Sequence, residues 1–391
     1  EARSTGPGLQ PLRAAFARAK GNQGAPGVDH QTVEMFGARL AENVQRLEES
    51  LRNGTYRPQV VLRTYIPKPG SRERRPLGIP TVRDRVVQGA LRNVLEPIFE
   101  RDFAEHSYGF RPGRGCKDAL RRVDGLLKAG YTYVVDADLK SYFDTIPHQR
   151  LMEHIGRKVS DGKVLSLLWQ FLQQGVLEGM STWTPDEGTP QGAVISPLLS
   201  NVYLDPLDHL MAQEGFAMVR YADDFVVLCR SAEEAQRALD LIRRWTNEAG
   251  LTLHPEKTRI VNSMETGFDF LGYHFVKHRR FVRKKSLGKF KAAIRAKTHR
   301  NNGYGLSEII KNVNYTLRGW FEYFKHSHRT TFTSLDGWVR GRLRSILRRR
   351  QHRRGRACGA DHHRWPNAYF AEQGLYSLVH AHAQACQSSR R

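Results

Sequence analysis

The sequence predicts an α+β fold with a central antiparallel sheet, followed by a helical and strongly basic region. Three observations lead to this prediction: two adjacent aspartates between apolar runs, a second acidic strand upstream, and an uneven distribution of positive charge. Most other segments show the apolar spacing of helices. Helices are predicted over 9–20, 31–52, 83–103, 116–128, 196–211, 232–249, 307–324 and 335–350, and residues 151–179 are predicted to be mostly helical.

The adjacent aspartates lie in the stretch 218–228, where Asp223 and Asp224 are flanked by Val, Phe and Tyr. These flanking residues favour strands, and the two residues between them are few enough for a hairpin turn. Both carboxylates can then project from one end of the sheet, where Mg²⁺ would take them together with substrate phosphates. A solvated turn is the alternative explanation, because Asp is common in hairpin turns.

The second acidic strand begins with the apolar residues 133–135 and ends with Asp136 and Asp138. These two aspartates are two positions apart, so they share a face of the strand. Either of them could complete a three-carboxylate metal site with Asp223 and Asp224. Two metals about 3.5–4 Å apart are the recurring arrangement in phosphoryl-transfer enzymes. Asp144, further along, is expected to cap or turn its segment.

A chain of 391 residues is long enough for two or three domains with their own cores. It has no apolar run of about 18 residues, so no membrane span is expected. The four cysteines are widely spaced and form no CxxC pair, which argues against a disulfide framework or zinc ribbon and fits a reducing compartment. The sequence begins with Glu1, so residue 1 need not be the native start.

The positive charge is concentrated in the last third of the chain. Residues 277–391 contain 27 Lys and Arg against 5 Asp and Glu, whereas residues 1–276 contain 35 against 34. Nearly all of the net charge of +23 therefore lies after residue 276. This distribution is typical of a nucleic-acid-binding region attached to a neutral body.

These features, in this order, resemble the reverse transcriptases encoded by bacterial group II introns, which are also called maturases. The resemblance covers nearly the whole chain, and the absence of paired cysteines makes it similar to the compact group II-C type without an endonuclease domain. It implies a right-hand polymerase with fingers, a palm and a helical basic thumb. It also implies that Asp138, Asp223 and Asp224 are catalytic and hold two Mg²⁺ ions, with Mn²⁺ as a substitute.

The fingers are expected to grip the incoming nucleotide through a hairpin within residues 56–88. Lys68 and Arg75 lie near its tip, and such cations suit a triphosphate. The matching cations of the family contact the dNTP. Arg72 and Arg74 are alternatives to Arg75, and all of these side chains could simply be solvated.

A Gly-rich basic loop at 107–115 carries two aromatic residues and can approach a nucleic-acid backbone. The resemblance implies a template and primer contact there, so Arg111 and Arg114 are expected to bind nucleic acid. An earlier turn-forming segment, 24–29, resembles a template-contacting extension of the family. An ordinary helix cap is the alternative for that segment.

Three further residues are expected to contact the dNTP. The resemblance places Phe143 under the sugar, where it would exclude a ribose 2′-hydroxyl, although a core aromatic is the alternative. Gln191 lies in a mobile loop before a helix whose predicted N-cap is Ser196, and its amide can hydrogen-bond to substrate. Lys257 resembles a family lysine that donates a proton to pyrophosphate.

The basic region resembles the maturase thumb, domain X. An apolar stripe over 307–324 is predicted to be core, with Ser307 as N-cap, and the arginines of 335–350 are predicted to follow a nucleic-acid backbone. The predicted contacts are Arg283, Lys284, Lys285, Arg340, Arg344, Arg348 and Arg349.

The predicted domains are 1–276, with an extension at about 1–55, then 277–350 and a basic nucleic-acid-binding tail at 351–391. Cys358, His362 and His363 are too loosely spaced to predict a metal site.

The expected partners are a group II intron RNA, an RNA template and a DNA primer or target. The protein would help the intron to splice, accompany the lariat to DNA, and work in the bacterial cytoplasm at the nucleoid. Two alternatives remain: a maturase that binds RNA without polymerising, and a domesticated enzyme of repair or phage defence. Whether the protein is a monomer or a homodimer is left open.

Overall fold

The computed structural model describes residues 9–67, 74–353, 355 and 359–388. The chain divides into two compact units, the first ending at Asn262 and the second beginning at Ser263. Helices and strands occur in both units, which confirms the α+β prediction. Among the described residues, no helix combines the length and the apolar character needed to cross a membrane.

The helices of the first unit are α1 (Leu9–Gly21), α2 (Val33–Ala38), α3 (Leu40–Arg52), α4 (Val82–Glu100), α5 (Cys116–Lys128), α6 (His148–Gly156), α7 (Gly162–Leu172), α8 (Ser196–Gln213) and α9 (Ala232–Glu248). The single helix predicted over 31–52 is two helices, because Arg39 leaves the helical backbone conformation. Side chains of Thr81 and Ser231 accept hydrogen bonds from the first turns of α4 and α9. These bonds satisfy backbone donors that a helix start leaves unpaired.

The strands of the first unit are β1 (Val61–Pro67), β2 (Arg74–Ile79), β3 (Tyr133–Asp138), β4 (Val176–Glu178), β5 (Ser181–Trp183), β6 (Ala217–Tyr221), β7 (Asp224–Cys229) and β8 (Arg259–Asn262). They form two four-stranded sheets, in the orders β2-β1-β4-β5 and β6-β7-β3-β8. The second sheet is antiparallel throughout, as predicted. The stretch 151–179, predicted to be mostly helical, also contains β4.

The antiparallel sheet is buried deeply enough to act as a rigid base. In β7, the residues from Phe225 to Cys229 are fully buried. Helix α9 packs against β3 and β7, and α5 packs against β6 and β7. A central strand covered in this way can be apolar at every position instead of alternating. The aspartates at its end are therefore held by a sheet that has little freedom to move.

The second unit contains β9 (Phe268–Phe270), β10 (Tyr273–Val276), β11 (Arg279–Val282), α10 (Lys284–Lys297), α11 (Leu306–Phe324), α12 (Thr330–Arg350), α13 (Gly359–Arg364), α14 (Asn367–Glu372) and α15 (Leu378–Ser388). Its strands form an antiparallel sheet in the order β11-β10-β9. The apolar stripe of α11 packs into a core with α10 and α12, as predicted. The rings of Tyr273 in β10 and Phe324 in α11 are in contact, with centroids 5.2 Å apart, so the strands pack with the helices that follow them.

Two predicted helix caps are wrong. The N-cap of α8 is Ile195, and the Ser196 hydroxyl instead donates to the Pro190 carbonyl at 3.0 Å. The N-cap of α11 is Gly305, so Ser307 lies within the first turn. The bond from Ser196 fastens the 188–192 loop to the start of α8.

Candidate active site

Most of the predicted site residues of the first unit line one cavity of about 930 Å³. The cavity lies at the end of the antiparallel sheet where β3 ends and β7 begins. The predicted residues on its wall are Asp138, Asp223, Arg75, Phe143, Gln191 and Lys257. Lys68 and Arg72, also considered as triphosphate contacts, lie outside the described residues. Arg74 lines the cavity beside Arg75, and both side chains are exposed.

The aspartates are brought together by the strand register. Asp138 of β3 pairs directly with Asp224 of β7, and Asp223 occupies the two-residue turn between β6 and β7. Burial, together with the negative charge of Asp138, raises the pKa of Asp223, while Arg75 acts in the opposite direction. Close carboxylates that disfavour each other's ionisation are stabilised by a bound cation.

The structure also distinguishes Asp138 from Asp136. Asp136 pairs with Arg259 of β8, and its Oδ2 lies 3.4 Å from the Arg259 Nε. Asp138 is the last residue of β3 and lines the cavity. Of the two alternatives, Asp138 is therefore the carboxylate placed with Asp223 and Asp224.

A cation already contacts this carboxylate. The Lys257 Nζ lies 2.8 Å from Asp138 Oδ2, and both side chains are partly exposed. Among the described residues, no three or more His, Cys, Asp or Glu side chains are grouped as a metal site. The carboxylate oxygens nevertheless match the ligands that Mg²⁺ prefers, and the ammonium stands in for a cation against Asp138.

The loop carrying Gln191 is fastened to the segment carrying Phe143. Gln191 Nε2 donates to Asp144 Oδ2 at 3.3 Å, and the Thr189 amide donates to the Phe143 carbonyl at 2.6 Å. Phe143 is partly buried and lies edge-on to Tyr142. Asp144 lies in a 3₁₀ turn, in agreement with the prediction that it caps or turns its segment. Its contact with Gln191 was not predicted. No local pattern signals that contact, because the two residues lie far apart in the chain.

Arg220 is another residue that the sequence reasoning missed. It directly precedes the Tyr221–Asp224 box, is fully buried, and forms an ion pair with Asp208 of α8. Its guanidinium also donates to the carbonyl of Ala222 in the aspartate turn. The available signal was a charged residue inside an otherwise apolar strand, since such charges are almost never buried unless paired.

One of the two arginines in the basic loop 107–115, Arg111, is buried and bonds to groups of the protein itself. The Arg111 side chain is only 2% exposed and lies 2.8 Å from Glu100. It also donates to the carbonyls of Ala104 and Ser107. The prediction that Arg111 contacts nucleic acid does not agree with this placement, because protein acceptors surround its donors. Arg114 is partly exposed and lies over the ring of Tyr108.

The basic residues of the second unit differ in exposure. Lys284, Lys285 and Arg349 are exposed, whereas Arg283, Arg340 and Arg348 are partly buried. Arg348 lies 2.8 Å from Asp361.

Arg344 is 2% exposed. This burial does not agree with the prediction that Arg344 contacts nucleic acid. It donates to the Trp365 carbonyl at 2.9 Å and to Asn367 Oδ1 at 2.8 Å. These bonds join α12 to the start of α14 and to the residue Trp365 just before it, so Arg344 is a core residue. His362 and His363 are exposed on α13, and Cys358 lies outside the described residues.

Two protein families match the chain. The family described as reverse transcriptase (RNA-dependent DNA polymerase) matches residues 66–275. The group II intron, maturase-specific domain matches residues 287–365. The first match includes the whole set of cavity residues, and the second includes most of the helices of the basic unit.

Individual relatives agree with these matches. Protein YkfC of Escherichia coli (strain K12) is 36% identical over 293 residues, covering 65% of this chain and 76% of YkfC. The group II intron-encoded protein LtrA of Lactococcus lactis subsp. cremoris is 40% identical over 201 residues, covering 51% of this chain and 33% of LtrA. An uncharacterized 91 kDa protein in the cob intron of Schizosaccharomyces pombe is 30% identical over 319 residues, covering 66% of this chain and 39% of that protein.

The chain therefore spans three quarters of one of these relatives but only about a third of the two intron proteins. With residues 66–275 matched and the aspartates gathered at the end of an antiparallel sheet, the chain belongs to the reverse transcriptase (RNA-dependent DNA polymerase) family and carries a group II intron maturase-specific domain.

Proposed function

We propose that this protein is an RNA-directed DNA polymerase that also binds a group II intron RNA and assists its splicing and mobility. The observation that carries the polymerase activity is the convergence of Asp138 and Asp223 in one cavity, with Asp224 paired to Asp138. Cations, an aromatic residue and an amide line the same cavity, as a nucleotide site requires. A maturase without polymerase activity would have no need of this arrangement.

Asp138, Asp223 and Asp224 would hold the two Mg²⁺ ions. When bound, divalent cations lower the pKa of the primer 3′-hydroxyl and stabilise the charge of the transferred phosphoryl group. The raised pKa of Asp223 and the ammonium against Asp138 support a cation requirement at this position. The rigid sheet keeps the carboxylates in place, so little reorganisation accompanies catalysis.

The dNTP would lie along the opposite wall of the cavity. Arg75 and Arg74 of β2 would donate to the triphosphate oxygens, since guanidinium groups form paired bonds with phosphate. Gln191, held by Asp144, would hydrogen-bond to the nucleotide. Phe143 would block a 2′-hydroxyl. The Lys257 ammonium would move away from Asp138 and donate a proton to the leaving pyrophosphate. Lys68 stays a prediction for the same triphosphate.

The second unit would bind RNA through its charge. Its exposed cations include Lys284, Lys285 and Arg349, and these would contact phosphates of the intron RNA. Such contacts release condensed counterions, which makes binding strong and salt-dependent. The match to the maturase-specific domain supports an intron RNA as the partner. An RNA template and a DNA primer or target complete the proposed set of partners.

A paired assay tests the two activities. Extension of a DNA primer on an RNA template is measured with Mg²⁺ and dNTPs, and splicing of the flanking intron is measured at low Mg²⁺. The proposal requires both activities. Failure of extension would reject the polymerase. Extension without any effect on splicing would instead favour a domesticated enzyme.

A further inference from the structure

We propose that Arg220 is a positioning residue that sets the geometry of the aspartate turn and joins it to the 107–115 loop. This inference rests on the proposed polymerase function, because it concerns how that site is built. Helix α8 and the turn meet at the Arg220 guanidinium, while the loop bonds to the Arg220 carbonyl and to the Asn201 side chain of α8. We call the three side chains Arg220, Asp208 and Asn201 the arginine clamp.

The first observation is that protein acceptors surround the guanidinium. Arg220 is 0% exposed, and its Nε lies 2.8 and 3.0 Å from the two Asp208 carboxylate oxygens. Its Nη1 donates to Asn201 Oδ1 at 2.9 Å and to the Ala222 carbonyl at 2.8 Å. Arg220 is therefore enclosed away from nucleic acid, and its effect must pass through the groups that it holds.

The second observation concerns the residue that it holds. Ala222 has φ +59, a left-handed conformation that residues other than glycine adopt only when their surroundings support it. Asp223 follows directly. The peptide between the two residues carries the Ala222 carbonyl, so the bond from Arg220 orients the backbone that leads into Asp223. Loss of that bond frees the turn to relax and changes where the Asp223 carboxylate points.

The third observation is the contact of the loop with the same turn. Asn201 Nδ2 donates to the Gly109 carbonyl at 2.8 Å, and the Tyr108 amide donates to the Arg220 carbonyl at 2.9 Å. A β-carbon at Gly109 would lie 2.1 Å from the Ala222 nitrogen, so only glycine fits there. The next residue, Phe110, lines the cavity. A shift of the loop therefore displaces the turn, and a shift of the turn displaces the loop.

The clamp predicts that changes outside the three carboxylates alter cation binding. Asn201→Ala removes one acceptor and the tie to Gly109 but leaves the Arg220–Asp208 ion pair in place. Gly109→Ala removes no charged or hydrogen-bonding side chain, yet its β-carbon forces the backbone of the loop or of the turn to move. Arg220→Gln leaves Asp208 buried without its partner and is expected to destabilise folding, so it is not the decisive variant. Arg220→Lys keeps the charge but not the fork of donors.

The experiment uses the full chain. Mn²⁺ binding is measured by electron paramagnetic resonance without nucleic acid, and single-nucleotide extension gives kcat and the dNTP KM. The matched control is Tyr203→Phe, which removes a partly buried hydrogen bond from α8 to the Ala249 carbonyl and leaves the clamp intact. Thermal unfolding of every variant measures the loss of stability.

We expect Asn201→Ala and Gly109→Ala to weaken Mn²⁺ binding severalfold and to lower kcat by about 100-fold, as misplaced reacting groups do. The dNTP KM should change by less than about twofold, because the triphosphate contacts remain. Tyr203→Phe should leave Mn²⁺ binding and kcat unchanged while lowering the melting temperature.

Folded Asn201→Ala and Gly109→Ala proteins with parental Mn²⁺ affinity and kcat would overturn the proposal. Equal Mn²⁺ losses in Tyr203→Phe would also overturn it, because the defect would then follow stability alone. If the parent protein fails to extend a primer, the polymerase function is rejected. The Mn²⁺ comparison still decides whether the clamp positions the turn.

Discussion

The ammonium of Lys257 and the carboxylate of Asp138 lie 2.8 Å apart in the cavity that also contains Asp223. This ion pair joins the end of β3 to the segment after α9, so it brings together two parts of the chain that are distant in sequence. A lysine in this position can leave the carboxylate when a stronger cation replaces it. It is then close to the place where a triphosphate would react.

Replacing Lys257 by Ala should slow nucleotide incorporation by about 100-fold, the lower end of the effect of a general acid. The dNTP KM should change little. Rapid-quench measurement of one incorporation checks this, with Lys140→Ala as the control, since Lys140 is exposed on the same cavity wall. Equal rates for the parent and Lys257→Ala would exclude a role in proton transfer.

Asp223→Asn keeps the shape of the side chain and removes a charge that the proposed Mg²⁺ ions would need. Primer extension on RNA should fall by several orders of magnitude, while RNA binding persists. The control is Asp240→Asn, because Asp240 is exposed on α9 and its contacts with Arg243 and Gln236 lie at the surface. Near-normal extension by Asp223→Asn would remove this residue from the metal site.

Phe143→Ala should admit ribonucleotides, because it removes the aromatic ring from the proposed sugar position. The ratio of dNTP to rNTP incorporation efficiency is the measurement. Phe110→Ala is the matched control, since Phe110 is an exposed aromatic residue on the same cavity and should not affect sugar choice. Unchanged discrimination in Phe143→Ala would make Phe143 a core residue only.

Replacing Lys284, Lys285 and Arg349 together by Gln should weaken RNA binding and flatten its salt dependence. Each lost phosphate contact reduces the slope of log affinity against log salt by roughly 0.7–0.9. An unchanged slope in the triple variant would show that its three cations face solvent only.

Arg344→Gln should instead lower the free energy of unfolding by about 1–3 kcal/mol, since it leaves buried acceptors unpaired.

The two proposed activities should be separable. Asp223→Asn should still promote splicing of the flanking intron at low Mg²⁺, where protein cations replace screening ions. The triple variant of Lys284, Lys285 and Arg349 should lose that help and retain more extension of a short preannealed primer. Equal loss of both activities in both variants would contradict separate surfaces.

The sequence by itself determined the strand that ends at Asp138, the hairpin that carries Asp223 and the bounds of α5. Strand-forming residues, turn length and helical periodicity are local properties, so they can be read without knowing the fold. The charge asymmetry is likewise a property of composition. The family resemblance then related these segments to one another in the correct order.

Only the tertiary structure decided which carboxylate lines the cavity and which arginines are exposed. Asp136 and Asp138 share a strand face, yet the neighbouring β8 supplies Arg259 to the first and leaves the second at the cavity. Arg111 and Arg344 lie in basic stretches like those of exposed arginines, but acceptors outside those stretches enclose them. They are Glu100 and the Ala104 carbonyl for Arg111, and the Trp365 carbonyl and Asn367 for Arg344. Burial depends on partners outside the local stretch, and the residue pattern within that stretch does not record them.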